Sequence, residues 1–268
     1  MLEALLRRDR ALVSVALAAI AALAWAYLLW LSASVGTGAE PNMPSMTMPG
    51  MSMPDMLAPE FRPWSAGEFA FTFGMWAVMM VGMMTPSAAP MVLIYAAVGR
   101  QASAQGKPFA ATSWFLAGYL LVWLAFALVA TAAQFALTQA ALLDPMMASS
   151  SRVFGGIVLI AAGLYEWTPL KDACLSQCQS PLLFIQRHGG FRRDPPGAVL
   201  LGLRHGAYCV GCCWMLMALL FVGGVMNVLW IAAISVFVLV EKTLPVGRIF
   251  ARTAGLAFIG VGAWLLAT

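Results

Sequence analysis

The chain has 268 residues, of which 62% are hydrophobic and 10% are charged, and its formal net charge is +4. Soluble globular domains carry about 25% charged residues, so this composition excludes a soluble protein and indicates a polytopic membrane protein. The chain contains no Walker loop and no GxGxxG motif in a strand–helix context, which argues against an ATP-driven pump. The expected partner is the lipid bilayer and not nucleic acid.

The first predicted element is an apolar run from Ala11 to about Leu31, which follows the basic start MLEALLRRDR. A cleaved signal peptide has an apolar core of about 7–15 residues, whereas a bilayer-spanning helix needs about 20. The run has the length of a bilayer span. We therefore predict that residues 1–35 form a retained N-terminal membrane anchor helix.

The second segment, residues 36–65, contains the stretch MPSMTMPGMSMPDM. Its prolines disfavour a helix. Thioether sulfur is a soft, uncharged ligand that selects Cu(I). We predict a methionine-rich outer loop that captures Cu(I), the alternative being a loop that only connects two spans. The candidate ligands are Met43, Met46, Met48, Met51, Met53 and Met56.

The remaining chain, residues 66–268, is predicted to be a six-helix membrane domain. Its apolar runs lie at about 66–84, 109–136, 153–168, 197–222, 225–241 and 249–267. With the anchor, these runs predict an all-α transmembrane bundle of about seven helices. The first of them continues past MMTPSAAPM to about Val98, and Pro86 and Pro90 predict that the helix kinks or ends near Thr85.

The distribution of Lys and Arg predicts the orientation of the bundle. With seven crossings and a cytoplasmic N-terminus, only Arg62 and Arg152 fall outside, and almost all other basic residues fall inside. We therefore predict a multi-pass protein of the bacterial inner membrane. The methionine-rich loop would be periplasmic, and the connection 169–196 would be cytoplasmic.

A methionine stripe lies on the second predicted span, in FTFGMWAVMMVGMMTP. Met75, Met79 and Met83 are spaced at i, i+4 and i+8, and Met84 lies one step round the helix. Methionine often fills gaps in helix bundles, and this is the alternative interpretation. The order from the outer loop inwards favours a Cu(I) relay through Met79, Met83 and Met84.

All five cysteines lie in two short stretches, TPLKDACLSQCQSP and RHGAYCVGCCWMLM. The second stretch places its histidine and three cysteines at offsets 0, 4, 7 and 8, which share one helix face. The two cysteines of the first stretch are spaced i, i+4 and converge if that segment is helical. We predict a site near the cytoplasmic end of the fifth span, with sulfur atoms about 4 Å apart, that binds Cu(I) or alternatively Zn(II). Its candidate ligands are Cys174, Cys178, His205, Cys209, Cys212 and Cys213. Packing of the cysteines as small apolar residues is the alternative.

Three polar residues lie at the ends of the predicted spans: Glu166, Asn227 and Glu241. Polar side chains are costly in a bilayer and are often functional. We predict that these three residues orient the metal ligands. For Glu241 the alternative is an ion pair with the adjacent Lys242 at the membrane surface.

Several motifs together resemble a bacterial family of predicted metal-binding integral membrane proteins of unknown function. They are WAVMMVGMMTPSAAPM, TPLKDACLSQC, GAYCVGCCWMLM, GGVMNVLW and EK, and the resemblance covers roughly residues 70–245. It implies an α-helical membrane fold and a metal-related role, but no particular reaction. The functional positions that it implies are Met84, Pro86, Pro90, Lys171, Cys174, Cys178, Cys209, Cys212, Cys213, Asn227 and Glu241.

The favoured function is a copper-binding membrane protein that captures Cu(I) at the outer loop and passes it through the methionine and cysteine sites. Its partners would be a metal ion and either a periplasmic copper chaperone or a membrane metalloenzyme. The alternative is a membrane thiol or metal redox enzyme, or an accessory subunit of a metalloenzyme complex. It rests on the C-x-x-C spacing of Cys209 and Cys212. A structural subunit whose sulfur atoms only pack is the third hypothesis.

Overall fold

The computed structural model describes residues 2–36, 64–106, 109–143 and 147–268, and all regular elements among them are helices. In chain order they are α1 (Leu2–Gly36), α2 (Ala66–Ala104), α3 (Thr112–Gln139), α4 (Arg152–Tyr165), α5 (Pro169–Gln179), α6 (Pro181–Arg187), α7 (Pro195–Ala218), α8 (Leu220–Gly223), α9 (Val228–Thr243) and α10 (Gly247–Ala267). The all-α prediction is therefore confirmed. The methionine-rich stretch from Met43 to Met56 lies outside the described residues.

Five helical segments in the described part of the chain are long and apolar enough to cross a membrane: α1, α2, α3, α7 together with α8, and α10. A sixth is reached if α4 and α5, which meet at a bend of 65°, form one broken span. The seventh candidate is α9, whose 16 residues extend about 24 Å, less than the hydrocarbon thickness of about 30 Å. The predicted count of seven crossings is thus not confirmed.

The helix α2 does not end at its prolines, contrary to one of the two outcomes expected there. It runs continuously through Pro86 and Pro90. The Thr85 hydroxyl donates to the carbonyl of Val81 at 2.6 Å, and the Ser87 hydroxyl donates to that of Met84 at 2.9 Å. A proline removes only its own N–H, and in a packed helix nearby hydroxyl groups supply hydrogen bonds to the carbonyls around it.

Capping residues fix where the helices of the cysteine region begin. Thr168 precedes α5, and its hydroxyl accepts a hydrogen bond from the backbone N–H of Lys171 at 3.2 Å. Asp194 caps α7 in the same way by accepting from the N–H of Gly197 at 2.7 Å. Each cap is followed by a proline at the first helical position. A backbone N–H at this position has no acceptor within the helix, so the proline there loses no hydrogen bond.

Glycines bring α3 and α7 into backbone contact. A Cβ atom on Gly118 would lie 2.2 Å from the carbonyl oxygen of Val199, and one on Gly202 would lie 2.0 Å from that of Phe115. Small residues allow such close approach in membrane bundles, where packing rather than the hydrophobic effect holds helices together. The contact fixes the rotation of α7 against α3 and therefore the direction of its cysteine face.

Replacing Gly202 with alanine should lower the free energy of unfolding by about 1–3 kcal/mol, because the new methyl group forces α3 and α7 apart. The change is measured by thermal or denaturant unfolding of the purified protein in detergent. The matched control is Gly74→Ala on α2, where a Cβ atom would meet nothing within 4 Å. Equal stability of the two variants would contradict the prediction.

Candidate metal centre

The two cysteine stretches meet where α5 packs against α7. The Sγ atoms of Cys178 and Cys212 lie 4.0 Å apart. A tetrahedral ion with bonds of about 2.3 Å to sulfur holds two of its ligands about 3.8 Å apart. The pair therefore has the spacing of two sulfur ligands on one ion. Cys212 is buried and Cys178 is half-buried, so the pair is shielded from water on the α7 side.

The other three cysteines surround this pair. The thiols of Cys212 and Cys213 both donate to the carbonyl of Cys209, at 3.1 and 2.9 Å. Cys174 packs its sulfur against the backbone of α7, where a Cβ atom on Gly211 would lie only 2.8 Å from it. All five thiols are free, and the glycine allows α5 to approach α7 this closely.

The amine of Lys242 lies inside the sulfur cluster, defined here as Cys178, Cys209, Cys212 and Cys213. Its Nζ atom is 2.8 Å from the sulfur of Cys209 and 3.8 Å from that of Cys213. The lysine is only 6% exposed, and a buried ammonium needs an anionic or polar partner. The hydroxyl of Tyr119 lies 3.2 Å from the same Cys209 sulfur. Cys209 therefore has two polar neighbours besides its own helix.

A buried ion triad lies next to the cluster. Lys171 on α5 pairs with Glu166, and its Nζ atom is 2.7 Å from Oε1 of Glu241 on α9. All three side chains are at most 1% exposed. The alternative of a surface ion pair between Glu241 and Lys242 is wrong. Adjacent residues on a helix point about 100° apart, so Glu241 reaches Lys171 while Lys242 reaches Cys209.

His205 lies one helical turn before Cys209 and is buried among aromatic rings. Its ring centroid is 5.1 Å from that of Phe184, 5.7 Å from that of Tyr119 and 5.9 Å from that of Phe115. Its Nδ1 atom is buried without a hydrogen-bond partner. The ring contacts of His205 are thus with aromatic side chains.

Asn227 is placed at the far end of α9 from the cluster. Its side chain caps that helix by accepting from the N–H of Trp230 at 3.2 Å and donating to the carbonyl of Gly223. Fifteen residues separate it from Lys242, which corresponds to about 22 Å along the helix. The structure brings Glu166 and Glu241 close to the cysteines but does not bring Asn227 there.

The predicted methionine stripe faces the interior of the bundle. Met79, Met83 and Met84 are each at most 1% exposed. The carbonyl of Met84 accepts a hydrogen bond from the Tyr119 hydroxyl at 3.3 Å, and that hydroxyl also contacts Cys209. One tyrosine thus joins the inner end of the stripe to the sulfur cluster.

No group of three or more His, Cys, Asp or Glu side chains with metal-binding geometry occurs among the described residues. Cys178 and Cys212 form a pair, and the sulfur next to them, that of Cys209, is engaged by Lys242 and Tyr119. The arrangement is therefore a pair of sulfur atoms beside a buried cation. It is not the preformed four-ligand cage of a structural zinc site.

Three residues of this region were not among the site residues chosen from the sequence: Tyr119, Lys171 and Lys242. The family resemblance alone pointed to Lys171. A signal for Lys242 existed, because it directly follows an apolar run and is charged, but the positive-inside rule already accounted for it. Tyr119 carries no signal of its own within the apolar α3.

Comparison with known proteins gives one match, to the family model PpoB2, described as a copper chaperone, over residues 73–265. The match covers well over half of the chain and includes every residue of the sulfur cluster and the ion triad. It is consistent with the metal-binding family expected from the sequence motifs and points to copper. The methionine-rich stretch lies outside it. No curated protein and no solved structure matches the chain.

Proposed function

Because the chain belongs to the PpoB2 family of copper chaperones, we propose that it holds Cu(I) between the sulfur atoms of Cys178 and Cys212 and delivers it to a partner protein. The observation that supports this most directly is the 4.0 Å spacing of these two atoms, which come from different helices. Thiolates are soft ligands that favour Cu(I), and burial among apolar helices protects the ion from oxidation and from water. Zn(II) is the alternative cargo.

The proposed setting is the bacterial inner membrane, with seven crossings and the N-terminus in the cytoplasm. Five long apolar helices, the broken pair α4 and α5, and the short α9 supply these crossings. The bias of Lys and Arg towards one side supports the orientation. In this arrangement the methionine-rich loop is periplasmic, and α5 enters the bundle from the cytoplasmic side.

The proposed path of the ion begins at the six methionines between Met43 and Met56 and continues along Met79, Met83 and Met84. Neutral thioethers bind Cu(I) without losing a proton and bind it less tightly than thiolates do, so capture remains reversible. Transfer from methionine to cysteine is then favourable. The contacts of Tyr119 with Met84 and Cys209 support the last step. A periplasmic copper chaperone would supply the ion to the loop, or a membrane metalloenzyme would receive it from the cysteines.

The test is the metal content of the full-length protein, purified without chelators from copper-replete and copper-starved cells. We expect stoichiometric copper in the first sample and little in the second, as measured by inductively coupled plasma mass spectrometry. Free thiols are counted on the same samples. Protein that is free of copper under both conditions would overturn the proposal.

A thiol redox role is the second candidate function. It is favoured by the C-x-x-C spacing of Cys209 and Cys212 and by the Lys242 amine at 2.8 Å from Cys209. A nearby ammonium stabilises the thiolate that attacks a disulfide. The free-thiol count separates the two functions, since metal-free protein that lacks two thiols would support redox chemistry.

A peptide of residues 40–58 should bind Cu(I) with a dissociation constant well below about 1 mM, because three thioethers on a proline- and glycine-rich backbone can enclose one ion. Isothermal titration under reducing, oxygen-free conditions measures this affinity. The control is the same peptide with its six methionines replaced by leucine, which should not bind. Similar heats for the two peptides would remove the loop from the proposed path.

A further inference from the structure

The copper site proposed above makes no use of Lys242, although the amine of this lysine lies within the sulfur cluster. At 2.8 Å from Cys209, the ammonium takes up a lone pair of the sulfur that a metal would need. It also lies 3.8 Å from Cys213, whose thiol donates to the carbonyl of Cys209. The Tyr119 hydroxyl is a second polar contact of the Cys209 sulfur.

The consequence is a division of the four cysteines into two pairs. The amine is in direct contact with Cys209 and Cys213, whereas the contact of Cys178 with Cys212, at 4.0 Å, does not include it. The neighbouring residue Glu241 forms an ion pair with Lys171 at 2.7 Å, and this pair fixes the position of Lys242. The ion triad thus fixes the rotation of the last turn of α9.

We propose that Lys242 makes the site selective for monovalent soft ions by reserving Cys209 and Cys213, so that only Cys178 and Cys212 bind metal. Cu(I) and Ag(I) accept two sulfur ligands, but Zn(II) and Cd(II) require about four. Charge acts in the same direction. The complex of two thiolates with a monovalent ion has a net charge of −1, which the ammonium of Lys242 balances. The complex with a divalent ion is neutral and leaves the ammonium without a counter-charge.

The experiment uses the full-length protein in detergent and two probe ions, Ag(I) as a redox-inert counterpart of Cu(I), and Cd(II), whose thiolate complexes absorb in the ultraviolet. The wild type should bind one Ag(I) ion that the variant Cys178→Ser, Cys212→Ser lacks, and it should bind Cd(II) only weakly. In Lys242→Met, a neutral variant of similar length, the affinity for Cd(II) should rise by about 10- to 100-fold, the usual range for groups that act through a metal ligand. Equal Cd(II) affinity in the wild type and Lys242→Met would overturn the selectivity proposal.

Two further variants keep the test decisive if Lys242→Met folds poorly. Lys242→Arg retains the charge and should continue to exclude Cd(II). Lys242→Gln removes the charge and keeps a polar end, and its affinity for Cd(II) should rise as in Lys242→Met. Continued exclusion of Cd(II) by Lys242→Gln would also overturn the proposal.

The selectivity proposal rests on the proposed copper site, and the two fail differently. Equal binding of Ag(I) and Cu(I) by the wild type and by the variant Cys178→Ser, Cys212→Ser overturns the copper site itself. Tight Ag(I) binding together with equally tight Cd(II) binding in the wild type overturns only the role of Lys242.

Discussion

Replacing Cys178 and Cys212 together with serine should lower the affinity for Cu(I) by at least about 1,000-fold, equivalent to about 4 kcal/mol. Serine is close to cysteine in size, so the packing of α5 against α7 is preserved, but a hydroxyl oxygen is a hard ligand that binds Cu(I) poorly. Competition with a chromophoric Cu(I) chelator measures the affinity of the purified protein.

Two variants on the same helices serve as controls for this result. Ser176→Ala changes α5 two residues before Cys178, and Ala207→Ser adds a hydroxyl on an exposed position of α7. Both should bind Cu(I) as the wild type does. Full copper binding by the double serine variant would show that the pair at 4.0 Å is not the copper site. It would favour the methionines of α2 as the ligands instead.

Replacing Lys171 with methionine should lower the free energy of unfolding by about 3–5 kcal/mol. The variant leaves the carboxylates of Glu166 and Glu241 buried together with no ammonium between them. Removing one partner of a buried ion pair is far more destabilising than replacing all partners with neutral groups. Denaturant unfolding in detergent, followed by circular dichroism, measures the loss.

The stability of the triple variant Lys171→Met, Glu166→Gln, Glu241→Gln tests the stated cause. It should recover most of the loss, because no uncompensated charge remains. The matched control is Asp172→Asn, which breaks the pair of Asp172 with Arg252 at 2.8 Å. These side chains are 29% and 46% exposed, so the change should be less than about 1 kcal/mol. Equal effects of Lys171→Met and Asp172→Asn would refute the role of burial.

The sequence predicted those features that depend on spacing along a single helix. The offsets of Cys209, Cys212 and Cys213 predicted one face, and all three are buried. The i, i+4 spacing of Cys174 and Cys178 predicted convergence on a helix, and α5 is that helix. Such predictions succeed because the helical repeat is fixed by the backbone alone.

Features that depend on how one helix is rotated against another were beyond the sequence. The helices α3 and α9 are apolar on every side, so no polar face indicates which residues point inwards. Tyr119 and Lys242 reach Cys209 only because the glycine contacts of Gly118 and Gly202 and the ion pair of Glu241 set those rotations. Neither constraint is visible before the helices are packed.

The number of spans is a further feature that hydropathy alone does not fix. The apolar run at 153–168 is interrupted after Tyr165, where the chain bends by 65° into α5. Hydropathy records only the apolar character of the run and not its direction. The same bend carries Lys171 and Cys178 towards α7, so the break in the apolar run and the position of the sulfur cluster have one cause.

The pairing of charges also bears on how the protein is inserted into the bilayer. Glu166 and Lys171 are five residues apart and Glu241 and Lys242 are adjacent, so each stretch is neutral overall as it leaves the ribosome. A charged side chain at the centre of a membrane helix costs about 2.5–3.5 kcal/mol. In the folded protein Lys171 lies against both carboxylates, and Lys242 lies against Cys209. Lys242 follows all five cysteines in the chain, so it is synthesised after every helix that supplies a cysteine.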